Sequence, residues 1–464
     1  MQTYDVIVIG GGPAGENAAG RCADGGVSVA LVESELVGGE CSYWACIPSK
    51  ALLRPGEVLA AARRVPGARA AVTAGVDAEA ALARRDAVTN GWDDANQVTW
   101  LHGAGVELVR GRGRLSGVRT VEVEASDGGV STLEAARAVV LATGSVANIP
   151  PVPGLRDIRT WDSRAATSAK AVPESLVVLG GGVVGVEMAQ AWRRLGAASV
   201  TIVEGGPRLL SRLEPFAGDE VRAAFEAEGI EVIVGARAKA AARADDEAPV
   251  VLTLEDGRNL EAAEILVAVG RRPATEGIGL EAVGLVPGAP VEVDDRMRAT
   301  GVDGEWLYAV GDVNGRALLT HVGKYQSRVA ADVILGRDDI TAWADSRIVP
   351  SVVFTDPQVA SVGLTEARAV ELGIEARAVS YPLGDVAAAT LHGQGIEGTA
   401  QIVVDEARRV VVGATFTGPE VAELVHGATI AIAGEVPLGV LWHAVPSFPT
   451  LSEVWLRLLE EYGL

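Results

Sequence analysis

The chain has 464 residues, 48% of them hydrophobic and only 4% aromatic, a length suited to about three domains that each bury a core. Its 40 basic residues against 61 acidic ones leave a net charge of -21, which argues against a nucleic-acid binder. No basic segment precedes the first apolar run, and a charge or turn interrupts every later one. No signal peptide and no spanning helix are therefore expected, and the expected location is cytoplasmic.

The chain opens YDVIVIGGGPAGENAAG. A β-branched run, Val6 to Ile9, leads into Gly10-x-Gly12-x-x-Gly15 and then an alanine-rich helical stretch. A second strand pattern, SVALVE, ends in Glu33. Strand, glycine turn, helix and acid in this order predict a dinucleotide cradle. Gly10 permits the tight turn, Gly12 lets the backbone approach a pyrophosphate, and Gly15 lets helix and strand pack closely. Glu33 is placed to accept a hydrogen bond from an adenosine ribose.

Next comes GGECSYWACIPSK, residues 38 to 50, with two of the three cysteines, Cys41 and Cys46. In a regular helix, residues five apart have Cα atoms roughly 8 to 9 Å apart, whereas a disulfide wants less than about 7 Å. A bridge here needs a distorted helical start and is easily reduced. Two unpaired buried thiols remain an alternative. A zinc site lacks a second pair or a nearby histidine. Cys22, in the first helical stretch, reads as a small core residue. With so few cysteines and no signal, a reducing compartment is expected. Lysine is scarce: Lys50, Lys170, Lys239 and Lys324 are the only four, which makes Lys50, four residues after Cys46, conspicuous. Trp92 and Trp100 read as packing residues on one helical stretch. His102, His321, His392 and His426 have no metal-like spacing, so no metal site is expected.

Residues 100 to 150 contain strand-like alternation and then AVVLATGS; IPPVPG at 149 to 154 reads as a linker. The cradle pattern then returns. SLVVLGGGVVGVEMAQAWRRLG carries Gly180, Gly182 and Gly185, and SVTIVE ends in Glu204. Two cradles suggest a flavin and a nicotinamide. Glu204 would accept from a 2′-hydroxyl and repel a 2′-phosphate, favouring NAD over NADP, while Arg208 and Arg212 nearby soften that preference. Residues 250 to 270 read as a hairpin and a strand. EWLYAVGDV reads as a buried strand ending at Gly311-Asp312. After about residue 342 the pattern predicts an antiparallel sheet flanked by helices, without a cradle of its own.

The motifs together resemble the class I pyridine nucleotide-disulfide oxidoreductases, the family of dihydrolipoamide dehydrogenase, glutathione reductase, mercuric reductase and soluble transhydrogenase. The matching stretches span nearly the whole chain: Gly10 to Gly15, CSYWACIPSK, ATGS at 142 to 145, Gly180 to Glu187, AVGRRP, AVGD at 309 to 312, SVVFTDPQVASVGLT and PTLSE at 449 to 453. The resemblance implies an α/β fold with two Rossmann-like dinucleotide-binding domains and a C-terminal α+β dimerisation domain. It divides the chain into an FAD part (1–149), an NAD(P) part (150–271), a central part returning to FAD (272–341) and an interface domain (342–464). It implies a homodimer without membrane insertion, with FAD and NAD(H), or NADP(H), as cofactors. Electrons would pass from the nicotinamide through the flavin to a Cys41–Cys46 disulfide, with Cys46 on the flavin side and Cys41 toward the substrate. Lys50 and Glu187 would form a charged pair beside the flavin. Thr143, Gly144 and Asp312 would contact the cofactor.

One position departs from the family. Disulfide-reducing members carry His-Pro-Thr-x-x-Glu near the C-terminus, and the histidine moves protons for the thiols. Here the string is Phe448-Pro449-Thr450-Leu451-Ser452-Glu453. Glu453 remains, but phenylalanine cannot move a proton, and His443 is a candidate only if its loop folds back. Mercuric reductase and soluble transhydrogenase also lack that histidine. Yet the chain lacks a terminal cysteine pair and retains Cys46, which typical transhydrogenases replace. Glu40, beside Cys41, is a further departure, since a nearby carboxylate raises a thiol's pKa. The expected activity is NADH (or NADPH) oxidation through FAD and the Cys41–Cys46 pair to a small-molecule acceptor such as a quinone or dye. The alternatives are a dihydrolipoamide-type disulfide reductase and an NAD(H)-binding redox sensor with little turnover.

Overall fold

The computed structural model describes residues 2–337 and 339–464. The chain forms two compact units, each built from three segments. The first comprises residues 1–48, 86–148 and 271–346, and the second residues 49–85, 149–270 and 347–464.

The first unit is built on a seven-stranded sheet. Gln2–Ile9 lies at its centre, parallel to Val29–Glu33 on one side and to Val130–Leu141 on the other. Val6 to Ile9 are buried, as expected of a parallel strand covered on both faces. On its other edge Val130–Leu141 serves two partners: its first half pairs antiparallel with Thr120–Glu124, and its last residues pair parallel with Leu307–Ala309. The helices Pro13–Asp24 and Thr320–Ile334 pack on one face over Ala18, Ala19, Val329 and Ala330.

The second unit contains a four-stranded parallel sheet in the order Ile230–Val234, Ser199–Glu204, Ser175–Leu179, Glu264–Val267. The helix Val183–Leu195 covers it, with Trp192 fully buried. The expected hairpin within 250 to 270 pairs Val250–Leu254 with Asn259–Ala262, and Ala238–Ala242 adds a third strand. Beyond residue 347 a five-stranded antiparallel sheet carries the helices Val421–Ala433 and Val454–Tyr462 around Phe416. The alternation seen after residue 342 in the sequence is this sheet. Among the described residues, no helix is long and apolar enough to cross a membrane.

Candidate active site

The two glycine turns have nearly the same geometry. Gly10 has φ +102 and Gly180 φ +112, and a Cβ on either would strike the carbonyl of Ala142 at 2.4 Å or of Ala268 at 2.5 Å. A Cβ on Gly15 would lie 1.8 Å from the Gly10 carbonyl, and one on Gly185 2.0 Å from that of Gly180. These four positions therefore require glycine. Gly12 and Gly182 differ: a Cβ there meets nothing within 4 Å, so both turns open onto space. No side chain caps the helix that follows either turn, which leaves its amides for an anion. Glu33 accepts from Gly11 N–H at 2.6 Å and Glu35 N–H at 2.7 Å. Glu204 accepts from Gly181 N–H at 2.6 Å and Gly206 N–H at 2.5 Å. Both carboxylates are thus oriented, with lone pairs left for ribose hydroxyls. The residues fit a dinucleotide in each turn. Arg208 donates to the carbonyls of Ser211 and Leu213, which ties it to its own loop, and Arg212 is exposed.

The thiol segment grows directly from the first turn. Gly38 N–H donates to the Gly11 carbonyl at 2.8 Å, and a Cβ on Gly39 would come within 2.8 Å of Gly12 Cα. A short helix, Gly39–Tyr43, carries Cys41 and ends at Trp44; a new helix, Cys46–Arg64, starts at the second cysteine. This break is a distortion of the kind that a bridge at this spacing needs. It brings the two thiols into hydrogen-bond contact. That bond holds Cys41 far above the usual thiol range, burial adds to it, and the Thr320 hydroxyl and the Lys324 ammonium pull the other way. Cys46 Sγ lies 3.5 Å from Thr320 Oγ1. Glu40 turns toward Arg271, 3.7 Å away. Cys22 is fully buried and its thiol is pushed up to about 12, chiefly by burial.

Arg271 also completes a relay around Asp312. Its Nε donates to Ser145 Oγ at 2.7 Å, and Ser145 Oγ donates to Asp312 Oδ2 at 2.5 Å. Burial raises the Asp312 pKa, while the Ser145 hydroxyl and the Arg271 charge oppose the rise. Thr143 Oγ1 donates to the Ala274 carbonyl at 2.8 Å, and Gly144 takes φ +74. Neither Ser145, Arg271 nor Thr320 was singled out from the sequence. The VGRRP and ATGS strings were visible, but nothing local to either shows that they pair as strands Ser145–Ala147 and Arg271–Pro273.

In the second unit Lys50 Nζ donates to Glu187 Oε2 at 2.7 Å and stands 4.8 Å over the Phe354 ring. Glu187 Oε1 accepts from Phe354 N–H at 2.9 Å. Three residues on one face of Val183–Leu195 grip the same segment. Beside Glu187, Gln190 accepts from Asp356 N–H at 2.8 Å and donates to its carbonyl at 2.9 Å, and Arg194 reaches Asp356 Oδ2 at 2.9 Å.

Near the C-terminus Phe448 is 74% exposed, and His443 is exposed as well. Glu453 is buried. Its carboxylate accepts from Arg457 at 2.6 Å and from Ala387 N–H at 3.4 Å. Trp92 and Trp100 do not share a helix. Trp92 sits on a 3-10 turn and donates to the Tyr43 carbonyl at 3.1 Å, while Trp100 lies on Ala95–Gly103 and is 48% exposed.

These features agree with the comparisons. The chain belongs to the pyridine nucleotide-disulphide oxidoreductase family: the family model matches residues 4–330, and the model of its dimerisation domain matches residues 349–458. The protein is thus a flavin-dependent NAD(P)H oxidoreductase, and the dimerisation domain supports a homodimer. It is 36% identical to a dihydrolipoyl dehydrogenase of Thermus scotoductus, over 99% of this chain and 97% of that protein. It is 34% identical to a mercuric reductase of Acidithiobacillus ferrooxidans, over 98% of this chain and 81% of that one. Among solved structures it is similar to LpdA of Mycobacterium tuberculosis, with TM-score 0.86, 27% identity and full coverage of both chains. A Cu(II) complex of the HOCl-induced flavoprotein disulfide reductase RclA of Escherichia coli is similar at TM-score 0.86 and 25% identity, covering 99% of each chain.

Proposed function

We propose that the protein oxidises NADH through FAD and the Cys41–Cys46 pair and passes the electrons to a non-disulfide acceptor such as a quinone. The observation that carries this reading is at the C-terminus. Exposed Phe448 stands where disulfide-reducing relatives place a proton-carrying histidine, and the Glu453 carboxylate is engaged by Arg457 and Ala387. Expelling a thiolate from a substrate disulfide needs a positioned acid, a contribution of about 10²- to 10⁴-fold. A quinone has no thiolate to expel.

In this reading the first turn, with Glu33, Thr143, Gly144 and Asp312, holds FAD, and the second, with Glu204, holds NADH. The bound flavin supplies two-electron chemistry between the nicotinamide and the thiols. Lys50, fixed by Glu187, would supply a positive charge that favours the reduced flavin. Arg271 and Ser145 fix Asp312. Cys41 faces the acceptor and Cys46 the flavin. Glu204 offers the 2′-hydroxyl of NADH an acceptor, and Arg208, committed to its own loop, does not compensate a 2′-phosphate. The expected location is the cytoplasm.

A second reading, a disulfide reductase of the dihydrolipoamide type, is favoured by the 36% identity to a dihydrolipoyl dehydrogenase. Steady-state rates with NADH and a panel of quinones, dyes, metal ions, lipoamide and glutathione disulfide separate the two. Quinone reduction well above disulfide reduction supports the first. Disulfide reduction as fast as quinone reduction, and lost in His443→Ala, overturns it.

A further inference from the structure

The first unit carries an open cleft of about 370 Å³ lined by Glu16, Asn17, Asn96, Gln97, Trp100 and Lys324. Two tightly packed helices place it. Ser327 Oγ donates to the Ala14 carbonyl at 2.8 Å, and a Cβ on Gly323 would sit 3.4 Å from that of Ala14, so Pro13–Asp24 and Thr320–Ile334 cross almost in backbone contact. Lys324 follows that crossing. It lies one turn, about 6 Å of rise, beyond Thr320, whose hydroxyl meets Cys46. Its charge also reaches Cys41. Cleft and thiols therefore share one helix.

The lining has a definite chemistry. Trp100 offers an indole, anchored where its ring meets Gly20. Three amide side chains and one ammonium carry donors, one of which, on Asn17, is taken by the Pro13 carbonyl at 2.9 Å. Glu16 is the single carboxyl of the lining, and burial pushes its pKa up to about 7. Lys324, from the facing helix, lowers it, and Glu33, at the end of its strand, raises it; the Tyr43 hydroxyl senses the Glu16 charge. A flat ring with carbonyl oxygens matches this set. The indole suits the ring, the amides and ammonium suit the oxygens, and a protonated carboxyl neutralises charge that develops on one of them.

We propose that the cleft seats a quinonoid acceptor and that Glu16 delivers a proton to its oxygen. This rests on the reading of a non-disulfide acceptor given above. In the step, the Cys41 and Cys46 S–H bonds break, the S–S bond forms, and two electrons pass from the sulfurs to the ring. Two O–H bonds form, giving the hydroquinone. Glu16 protonates one oxygen and regains its proton from those that the thiols release. NADH then restores the dithiol through the flavin, as in the proposed function.

The test uses holoenzyme pre-reduced with NADH, mixed rapidly with menadione or with ferricyanide, which takes an electron and no proton. Glu16→Gln should slow reoxidation by menadione by about 10²-fold, flatten its pH dependence around neutrality and leave the ferricyanide rate unchanged. Glu16→Asp should recover part of the loss. An unchanged menadione rate and pH profile in Glu16→Gln overturns the role of Glu16 and leaves the proposed function standing. Wild-type protein that reduces lipoamide but not menadione overturns both. A second readout is independent of turnover: the infrared band of a protonated carboxyl should fade through neutral pH in the wild type and be absent in Glu16→Gln. No such band in the wild type overturns the proposal.

Discussion

Gln190 holds Asp356 by both backbone groups, accepting from its N–H at 2.8 Å and donating to its carbonyl at 2.9 Å. One turn earlier on the same helix, Glu187 bonds Lys50 and Phe354 N–H. The helix thus sets the charged pair and the segment around it together. In Gln190→Ala two partly buried backbone groups lose their partner. We expect a loss of about 1–3 kcal/mol of stability and a looser Lys50–Glu187 pair. Chemical denaturation reads the first. A shifted flavin reduction potential reads the second, and Gln190→Glu, which still accepts from Asp356 N–H, should shift it less. An unchanged potential in Gln190→Ala would show that Gln190 is only structural.

Cys22 and the thiol pair should part company under alkylation. Burial that pushes the Cys22 thiol to about 12 leaves almost no thiolate at neutral pH. Iodoacetamide added after NADH reduction should label the partly exposed Cys46 and spare the fully buried Cys22 in the folded protein. Mass spectrometry of the digest checks this, and early labelling of Cys22 would contradict its burial. Cys46→Ser should remove any long-wavelength absorption that appears on two-electron reduction, and Cys41→Ser should keep it.

Glu204→Ala removes the acceptor for Gly181 and Gly206 N–H together with the charge that would repel a 2′-phosphate. The ratio of kcat/KM for NADH over NADPH should fall, mainly through a higher KM for NADH, by about tenfold for one lost charge-assisted hydrogen bond. With Arg208 occupied by its own loop, Arg208→Ala should leave the ratio unchanged.

Stability should also depend on pH through Glu16. Its folded pKa of about 7 lies above the ordinary 4.5, mainly because burial disfavours the charged form. Between these values the folded chain keeps a proton that the unfolded chain releases, so stability falls as pH rises through this window. Glu16→Gln cannot ionise. It should be more stable than the wild type by about 1–3 kcal/mol above pH 7, with the difference vanishing below pH 4.5. Thermal melts across that range check the sign, and a constant difference would refute it.

Much of this protein is local in origin and was therefore legible in the chain. Both cradles were readable because strand, glycine turn, helix and acid follow one another within one βαβ unit, and the structure gives them matching backbone geometry. A bridge between Cys41 and Cys46 would need a distorted helix at that spacing, and a break between two helices does fall at Trp44. The phenylalanine at 448 is a substitution visible in a single line of sequence. What the tertiary structure decided lies between distant segments. Arg271 meets Ser145 across 126 positions, Glu187 meets Phe354 across 167, and Glu16 shares a cleft with Lys324, on a helix more than half the chain away. No periodicity or spacing encodes such meetings. They exist because packed sheets and crossing helices bring those backbones together, and the altered ionisation of Glu16, Cys41 and Asp312 follows from the burial and partners that the packing imposes.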